Sequence, residues 1–372
     1  MKEKRCQIVS YASKCFETEV LTHLENDRIF ALTDLPEELK QAIKNLFASG
    51  DDLFDHLHEY AESDFPPIIE AKKVRGLFHP KKYALLCNNG ARFFIATDKN
   101  KQIINERMPI MHGGAVISEA ANVFNRFMDD IIIRILQSIA NRYKLKFNEL
   151  KDMIIGESAI GLSRYYPITQ NRVRQLYNDE VLAVNGDQIE QFGEHRDVNP
   201  MTIITYRNGP QGLLVRDKNS KELIPLSVSC DNKPYLLIFT GTILKELTNG
   251  NVRALKHQVV TNPEEQHQEA QRHPHAWRFM LAKFTYCNAE ILEPLMTMDG
   301  ERIQPPRQRK YQRDFPLTQD KFFMDHLSTA KAIREKAKTK EFPEGVAKKY
   351  PRDVKYREIY AAQLGEDSLL TL

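Results

Sequence analysis

The sequence predicts a mainly β fold with flanking helices, in the α+β class, and two patterns lead to this prediction. After Ile160, short apolar segments alternate with turn-forming residues, which is typical of an antiparallel sandwich or barrel. Before them, apolar residues recur at a spacing of three and four from Ser118 to Tyr143, which predicts one long helix. A chain of 372 residues is long enough to bury a large core around such a sheet.

Residues 1–149 are predicted to be an N-terminal region of mixed α and β structure that ends in this long helix. A proline and two acidic residues mark the start of a helix over 34–48, and a second helix is predicted over 51–62. The segment His112-Gly113-Gly114 is interpreted as a turn before the long helix, with a substrate contact as the alternative. The long helix itself is interpreted as a scaffold packed on the outside of the sheet.

Residues 150–290 are predicted to form the β core, because the apolar periodicity there changes from helical to strand spacing. The predicted strands are, in chain order, Gly161–Tyr166, Glu194–Val198, Met201–Tyr206, Gly212–Arg216, Leu223–Val228, Tyr235–Phe239, Val252–Val260 and Trp277–Tyr286.

Three residues in this region have the side chains of a metal site. His195 and Asp197 are two positions apart on one predicted strand, so both side chains point to the same face. His257 supplies a second imidazole from a later strand. Two imidazoles and one carboxylate suit a non-haem Fe(II) site with positions left open for other ligands. A His-x-Asp triplet arises readily by chance in a chain with eleven histidines, so the surrounding motifs decide its meaning.

Four segments around the triplet follow an order that is found in a known family. In chain order they are Leu162-Ser163-Arg164-Tyr165-Tyr166-Pro167, Gly212-Leu213-Leu214-Val215, Leu247-Thr248-Asn249-Gly250 and His257-Gln258-Val259. Over residues 150–285 the chain resembles the 2-oxoglutarate/Fe(II)-dependent dioxygenases, in the branch that contains isopenicillin N synthase and the plant hydroxylases and oxidases.

The resemblance implies a double-stranded β-helix, or jelly-roll, core in which the strands of His195 and His257 lie side by side. It implies that Fe(II), O₂ and the co-substrate 2-oxoglutarate act together. Decarboxylation to succinate and CO₂ would be coupled to hydroxylation or desaturation of a small organic molecule. Arg278 would bind the distal carboxylate of 2-oxoglutarate bidentately, with Arg272 as the alternative anchor. Tyr166 would donate a hydrogen bond to the co-substrate.

The chain departs from the family pattern in three places. Met280 stands where the family has a serine that bonds 2-oxoglutarate. This favours two alternatives: an Fe(II) oxidase that does without 2-oxoglutarate, or a non-catalytic binding protein on the same barrel. Arg164 replaces a family asparagine, either as a second carboxylate anchor or as a solvent-facing residue. The polar insert 262–275 is interpreted as a solvated loop, with a second metal site at its histidines as the alternative. Arg196 is expected to point away from the metal.

Residues 291–372 are predicted to be a basic, partly helical C-terminal extension. From residue 301 to 360 there are sixteen Lys and Arg residues against nine Asp and Glu residues, and a helix is predicted over 318–340. This segment is interpreted as a solvated face, with a lid or a surface for an anionic partner as alternatives. The whole chain carries a net charge of only +3, which does not indicate nucleic acid as a partner.

Composition also bears on location and on membranes. The five cysteines are scattered and odd in number, which favours a reducing, cytoplasmic location over a disulfide framework. The N-terminus lacks the apolar run of a signal peptide, and no stretch approaches about 18 uninterrupted apolar residues, so no membrane span is expected. The sequence does not indicate an oligomeric state.

Overall fold

A computed structural model describes residues 3–60, 68–70, 73–78, 90–97, 111–165, 183–184, 188–207, 212–230, 233–262, 268, 278–287, 291–292, 294–306 and 317–318. The α-helices of these residues are α1 Phe16–Asn26, α2 Glu37–Asp55, α3 Gly114–Tyr143, α4 Phe147–Ile154 and α5 Thr242–Leu247, with one 3-10 turn at Leu57–Glu59. The strands are β1 Lys4–Arg5, β2 Ile8–Ser10, β3 Ile29–Thr33, β4 Ile68–Glu70, β5 Lys73–Phe78, β6 Gly90–Thr97, β7 Ser158–Tyr165, β8 Ala183–Val184, β9 Gln188–His195, β10 Met201–Tyr206, β11 Leu213–Arg216, β12 Leu223–Ser227, β13 Leu236–Thr240, β14 His257–Thr261, β15 Arg278–Thr285, β16 Ile291–Leu292 and β17 Leu317–Thr318.

Most of these strands belong to two sheets. The larger sheet has nine strands in the order β2-β3-β13-β10-β15-β7-β6-β5-β4. The smaller has six, in the order β1-β12-β11-β14-β9-β8. Within them only the β1–β12 and β2–β3 pairs are parallel. Strands β16 and β17 form a separate antiparallel pair.

The nine-stranded sheet is the middle layer, because its side chains alternate between two separate apolar clusters. On β13, Leu236 and Ile238 pack with the helices, whereas Leu237 and Phe239 pack with β11 of the six-stranded sheet. Strand alternation therefore gives this sheet an outer face toward the helices and an inner face toward the smaller sheet.

The long helix α3 covers the outer face, as the sequence predicts. It begins at Gly114, four residues earlier than expected, and its apolar stripe is buried. Gly113 just before it has a φ of +67°, so the turn interpretation of this segment is confirmed. The Nζ atom of Lys283 lies 2.5 Å from an Asp129 carboxylate oxygen, which joins β15 to the middle of α3.

The predicted helix over 34–48 is confirmed, but the prediction of a separate helix over 51–62 is wrong, since α2 runs without a break from Glu37 to Asp55. Gly50 lies in α2 against the ring of Phe279. A Cβ atom at Gly50 would lie 2.5 Å from the Phe279 ring carbon Cζ, so the glycine permits a close approach of helix to sheet. Phe47 and Phe54 pack against the same ring at centroid distances of 5.1 and 5.6 Å.

The observed architecture is a β-rich α+β fold, so the predicted fold class is confirmed. Among the residues that the structure describes, no helix combines the length and the apolar character needed to cross a membrane. Beyond Thr318, the predicted C-terminal helix lies outside the described residues. The division into residues 1–149, 150–290 and 291–372 stays a prediction.

Candidate metal centre

The two candidate histidines lie opposite each other on neighbouring strands. Strands β9 and β14 pair antiparallel with His195 and His257 as register partners, and the register shifts between His257 and Val259. The imidazole rings are 4.3 Å apart at their centroids. The ring of Phe239 packs edge-on against His257 at 5.1 Å. The expectation that the two strands lie side by side is therefore confirmed.

Asp197 reaches the histidines by a different route from the one that the sequence predicts. The predicted strand Glu194–Val198 is wrong at its C-terminal end, because β9 ends at His195. The backbone carbonyl of Asp197 accepts hydrogen bonds from the N–H and the hydroxyl of Thr242, at 2.7 and 3.0 Å. The first residue of α5 therefore fixes the position of Asp197, and strand alternation does not.

The carboxylate of Asp197 presents one oxygen to both imidazoles. Its Oδ1 atom is 3.3 Å from His195 Nε2 and 3.8 Å from His257 Nε2. Its Oδ2 atom accepts a 2.5 Å hydrogen bond from the hydroxyl of Thr202, which in turn accepts one from the amide of Asn199 at 2.9 Å. One ligand atom from each of the three metal-site residues lies within 4.8 Å of the others, close enough to share a metal ion.

The local electrostatics favour the protonation states that metal binding requires. Burial raises the pKa of Asp197, but the hydrogen bond from His195, the charges of both histidines and the Thr202 hydroxyl outweigh it and lower that pKa to about 2. Burial lowers the pKa of His257 to about 4, against the opposing effect of Asp197. At neutral pH the site thus offers an ionised carboxylate beside a neutral imidazole, which suits a divalent metal.

Arg278 is the first residue of β15 and only 7% of its surface is exposed. Its guanidinium carbon lies 5.2 Å from the ring centroid of Tyr165 and 5.3 Å from that of Tyr206. Its Nη2 atom donates a long hydrogen bond of 3.5 Å to the Tyr206 hydroxyl. The two phenol rings therefore flank the guanidinium and restrict its orientation.

Strand β10 connects Arg278 to the metal ligands. Thr202, which bonds Asp197, and Tyr206, which accepts from Arg278, are four residues apart on this strand. Residues at i and i+4 of a strand share one face and are about 13 Å apart. Burial raises the pKa of the Tyr206 phenol. The positive charge of Arg278 lowers this pKa, and the negative charge of Asp197 raises it. The candidate metal ligands and Arg278 thus lie on the same side of the nine-stranded sheet, the side that faces the six-stranded sheet.

The structure decides one of the alternatives for Arg164. The solvent-facing interpretation is wrong, since Arg164 is 4% exposed and its Nη1 atom lies 2.7 Å from Asp55 and 3.7 Å from Asp51 of α2. It points to the outer face, opposite to Arg278, so it cannot anchor a carboxylate beside the metal ligands. Arg196 follows the end of β9 and is exposed, and its predicted direction away from the metal stays a prediction.

Other residues that the sequence singles out fall outside the described residues. These are Tyr166, Arg272 and the three insert histidines His267, His273 and His275.

Two residues of the site are missing from the sequence analysis. Thr202 and Tyr206 lie on β10, which the sequence shows only as an apolar strand. A usable signal exists in the alternation of Thr202, Ile204 and Tyr206, because two polar-tipped side chains in phase on a buried strand require polar partners.

No protein-family model matches this chain, and no curated protein matches its sequence. Solved structures do resemble it. A full-length Neurospora crassa protein, crystallised with alpha-KG (2-oxoglutarate), has a TM-score of 0.59 at 15% identity, covering 86% of this chain and 94% of its own. A Caulobacter crescentus protein assigned to the 2OG-Fe(II) oxygenase family has a TM-score of 0.57 at 18% identity, covering 87% and 99%. JOX2, crystallised with 2OG, Fe and JA, has a TM-score of 0.53 at 14% identity, covering 87% and 85%. At such identities the likeness is one of fold, and the chain has the fold of the 2-oxoglutarate/Fe(II) oxygenases.

Proposed function

We propose that the chain is a non-haem Fe(II)- and 2-oxoglutarate-dependent dioxygenase, an oxidoreductase that hydroxylates or desaturates a small organic substrate. One observation carries the proposal: a single Asp197 oxygen faces the imidazoles of both His195 and His257. The alpha-KG crystallised with the Neurospora crassa protein and the 2OG and Fe crystallised with JOX2 support the same pair of cofactors.

His195, Asp197 and His257 would hold the iron. When bound, iron and 2-oxoglutarate supply the activation of O₂ that couples decarboxylation to succinate and CO₂ with substrate oxidation. The chain orients the ligands for this role. The hydroxyl of Thr202 donates a hydrogen bond to the Oδ2 atom of Asp197, so Oδ1 remains directed at the imidazoles. The ring of Phe239 packs against His257, whose side chain is buried.

Arg278 would bind the distal carboxylate of 2-oxoglutarate, because a guanidinium pairs with a carboxylate through two parallel hydrogen bonds. Met280 provides no hydroxyl at the position where the family has serine. Tyr206 is the register partner of Met280 across β10 and β15, and its hydroxyl already bonds Arg278. We assign to Tyr206 the hydrogen bond that the family serine would provide. Tyr166 stays a proposed further contact.

The strand order supports a double-stranded β-helix, or jelly-roll, as the core. The sequence β7-β15-β10-β13 lies in the larger sheet and β9-β14-β11-β12 lies in the smaller. From β7 to β15 the chain therefore crosses repeatedly between the two sheets, with only β8–β9 and β11–β12 as consecutive strands in one sheet. We also propose that this core spans residues 150–290 and that the chain belongs to the isopenicillin N synthase-like branch. A cytoplasmic location is part of the same proposal.

The substrate is proposed to be a small molecule. The Neurospora crassa protein has been crystallised with thymine and JOX2 with JA, both in addition to the co-substrate. Identities of 13% and 14% to these two proteins do not transfer either molecule to this chain.

The test is an anaerobic titration of the metal-free protein with Fe(II) and then 2-oxoglutarate, in which the visible charge-transfer band of a chelated keto acid is recorded. We expect a band in the wild type, its loss in His195→Ala and a weaker affinity for 2-oxoglutarate in Arg278→Ala. His23→Ala changes a histidine of α1, outside both sheets, and serves as the matched control.

The outcomes separate the alternatives. Iron binding without a band would contradict 2-oxoglutarate dependence and favour an Fe(II) oxidase. Absence of iron binding would overturn the oxygenase proposal and leave a barrel that acts in recognition only.

A further inference from the structure

A second group of metal-ligating side chains lies where α2 ends and α3 begins. Asp52 and His56 are four residues apart at the C-terminal end of α2, so they share one face of the helix. His112 lies two residues before α3. One ligand atom from each of these three residues lies within 4.8 Å of the others. The candidate iron ligands satisfy the same distance condition.

The two imidazoles of this group are stacked. The rings of His56 and His112 are 4.1 Å apart at their centroids and are inclined by only 8°. His56 Nδ1 lies 2.7 Å from the backbone oxygen of Asp52 and 3.3 Å from its Oδ1 atom. His112 Nε2 lies 2.7 Å from Glu59 Oε2. Two imidazoles are thus bracketed by two carboxylates. The two negative charges would balance one divalent cation.

His112 is held in place by the surrounding backbone. Its N–H donates a 2.8 Å hydrogen bond to the hydroxyl of Tyr60. The next residue, Gly113, has a left-handed backbone that packs against Ser49 of α2, where an added Cβ atom would lie 3.0 Å from the Ser49 Cβ. A loop fixed at two points reduces the conformational entropy that a metal would otherwise have to remove.

We propose that His56, His112, Asp52 and Glu59 form a binding site for Zn²⁺ or a cation of similar ligand preference. Zn²⁺ takes imidazole nitrogen and carboxylate oxygen in a tetrahedron with bonds of about 2.0–2.2 Å. Mg²⁺ and Ca²⁺ prefer oxygen ligands, so two imidazoles disfavour them. The two stacked rings would have to turn so that one nitrogen of each points at the same ion.

Bound metal would join the end of α2 to the start of α3. Asp51 and Asp55, which immediately precede Asp52 and His56 in the chain, pair with Arg164 of β7. The metal would therefore strengthen a junction that already connects helix and sheet. This site is separate from the proposed iron site and does not depend on the proposed function.

His23 and Asp27 provide an internal comparison. They have the same i, i+4 spacing, with His23 Nδ1 at 3.5 Å from Asp27 Oδ2. Among the described residues, no metal-ligating group of three includes this pair. His23→Ala is therefore the matched control for removing a helical histidine that faces an aspartate.

The experiment is a titration of the metal-free full-length protein with Zn²⁺ against a chromophoric chelator, repeated with Co²⁺ to record its ligand-field absorption. We expect two equivalents bound by the wild type and one by His195→Ala. We expect the His56→Ala/His112→Ala variant to lose the other equivalent, and Glu59→Gln to weaken that equivalent by about tenfold or more. His23→Ala should bind as the wild type does.

Two results would overturn the proposal. One is an unchanged stoichiometry in His56→Ala/His112→Ala, with circular dichroism showing the variant to be folded. The other is a single equivalent in the wild type that disappears in His195→Ala. If the candidate iron site binds no metal, the wild type should bind a single equivalent that survives in His195→Ala and disappears in His56→Ala/His112→Ala. That pattern supports the proposal.

Discussion

The two faces of the nine-stranded sheet bury cations in different surroundings. On β15, Lys283 points to the outer face and Arg278 to the inner face. On β7, Arg164 points outward and Tyr165 points inward. Strand alternation places these residues on opposite sides within a few positions of each other.

The partners of these side chains distinguish the two faces. Lys283 contacts Asp129 and Asn125 of α3, and Arg164 contacts Asp51 and Asp55 of α2. These ion pairs join the helices to the sheet. Arg278 packs between the phenol rings of Tyr165 and Tyr206, which restrict its orientation. The comparison teaches that burial of a cation does not by itself indicate a binding site, and that the chemistry of its neighbours does.

The largest expected effect is on the outer face. Lys283→Met removes one partner of a buried ion pair and leaves the charge of Asp129 uncompensated. We expect the free energy of unfolding to fall by ~3–5 kcal/mol in urea denaturation. Iron affinity of the folded variant should stay unchanged, because Lys283 lies on the face opposite to the metal ligands.

Lys146→Met is the control, since Lys146 pairs with Glu149 on the surface. We expect its unfolding free energy to stay within about 1 kcal/mol of the wild type. Equal losses in both variants would contradict the structural role given to the buried pair.

An intermediate effect is expected on the inner face. Asp197→Asn keeps the size of the side chain and the contact with Thr202 but removes the anionic ligand. We expect Fe(II) affinity to fall by about 100-fold or more, because loss of a ligand exceeds the roughly 10–100-fold cost of losing a residue that supports one. Competition with a chromophoric chelator measures it, and Asp152→Asn on the surface is the control. Unchanged affinity would remove Asp197 from the metal site.

The smallest expected effect tests how Arg278 is oriented. Tyr206→Phe keeps the ring beside the guanidinium and removes the hydroxyl. We expect 2-oxoglutarate affinity to fall by up to about tenfold, as for the loss of one hydrogen bond. Tyr165→Phe is the matched control, because the Tyr165 hydroxyl accepts from Arg92 while its ring also flanks Arg278. Equal effects of the two variants would contradict the role proposed for the Tyr206 hydroxyl.

Much of the molecule was predictable from local patterns. The 3–4 spacing after Ser118 marks α3 because a helix that buries one stripe must repeat its apolar residues with the helical period. The strand over 277–286 appears almost unchanged as β15. The set His195, Asp197 and His257 was selected from residue type and order, and the structure brings the three together.

Long-range contacts decided the rest. Residue order alone does not show that Thr242 holds the backbone of Asp197, since the two are 45 residues apart and meet only when α5 packs beside the end of β9. The direction of Arg164 likewise depends on Asp51 and Asp55, more than 100 residues away in the chain. The close approach of α2 to β15 depends on Gly50, whose missing side chain leaves room for the ring of Phe279.

The sequence by itself determined the β-rich class and the scaffold helix and supplied the candidate metal-ligating side chains, because period and residue chemistry are local properties. The tertiary structure alone decided which face each buried cation occupies and which residues orient the ligands. It also showed that His56 and His112, which are distant in the chain, stack beside two carboxylates. Contacts of this kind depend on how elements pack, and packing is a property of the whole chain.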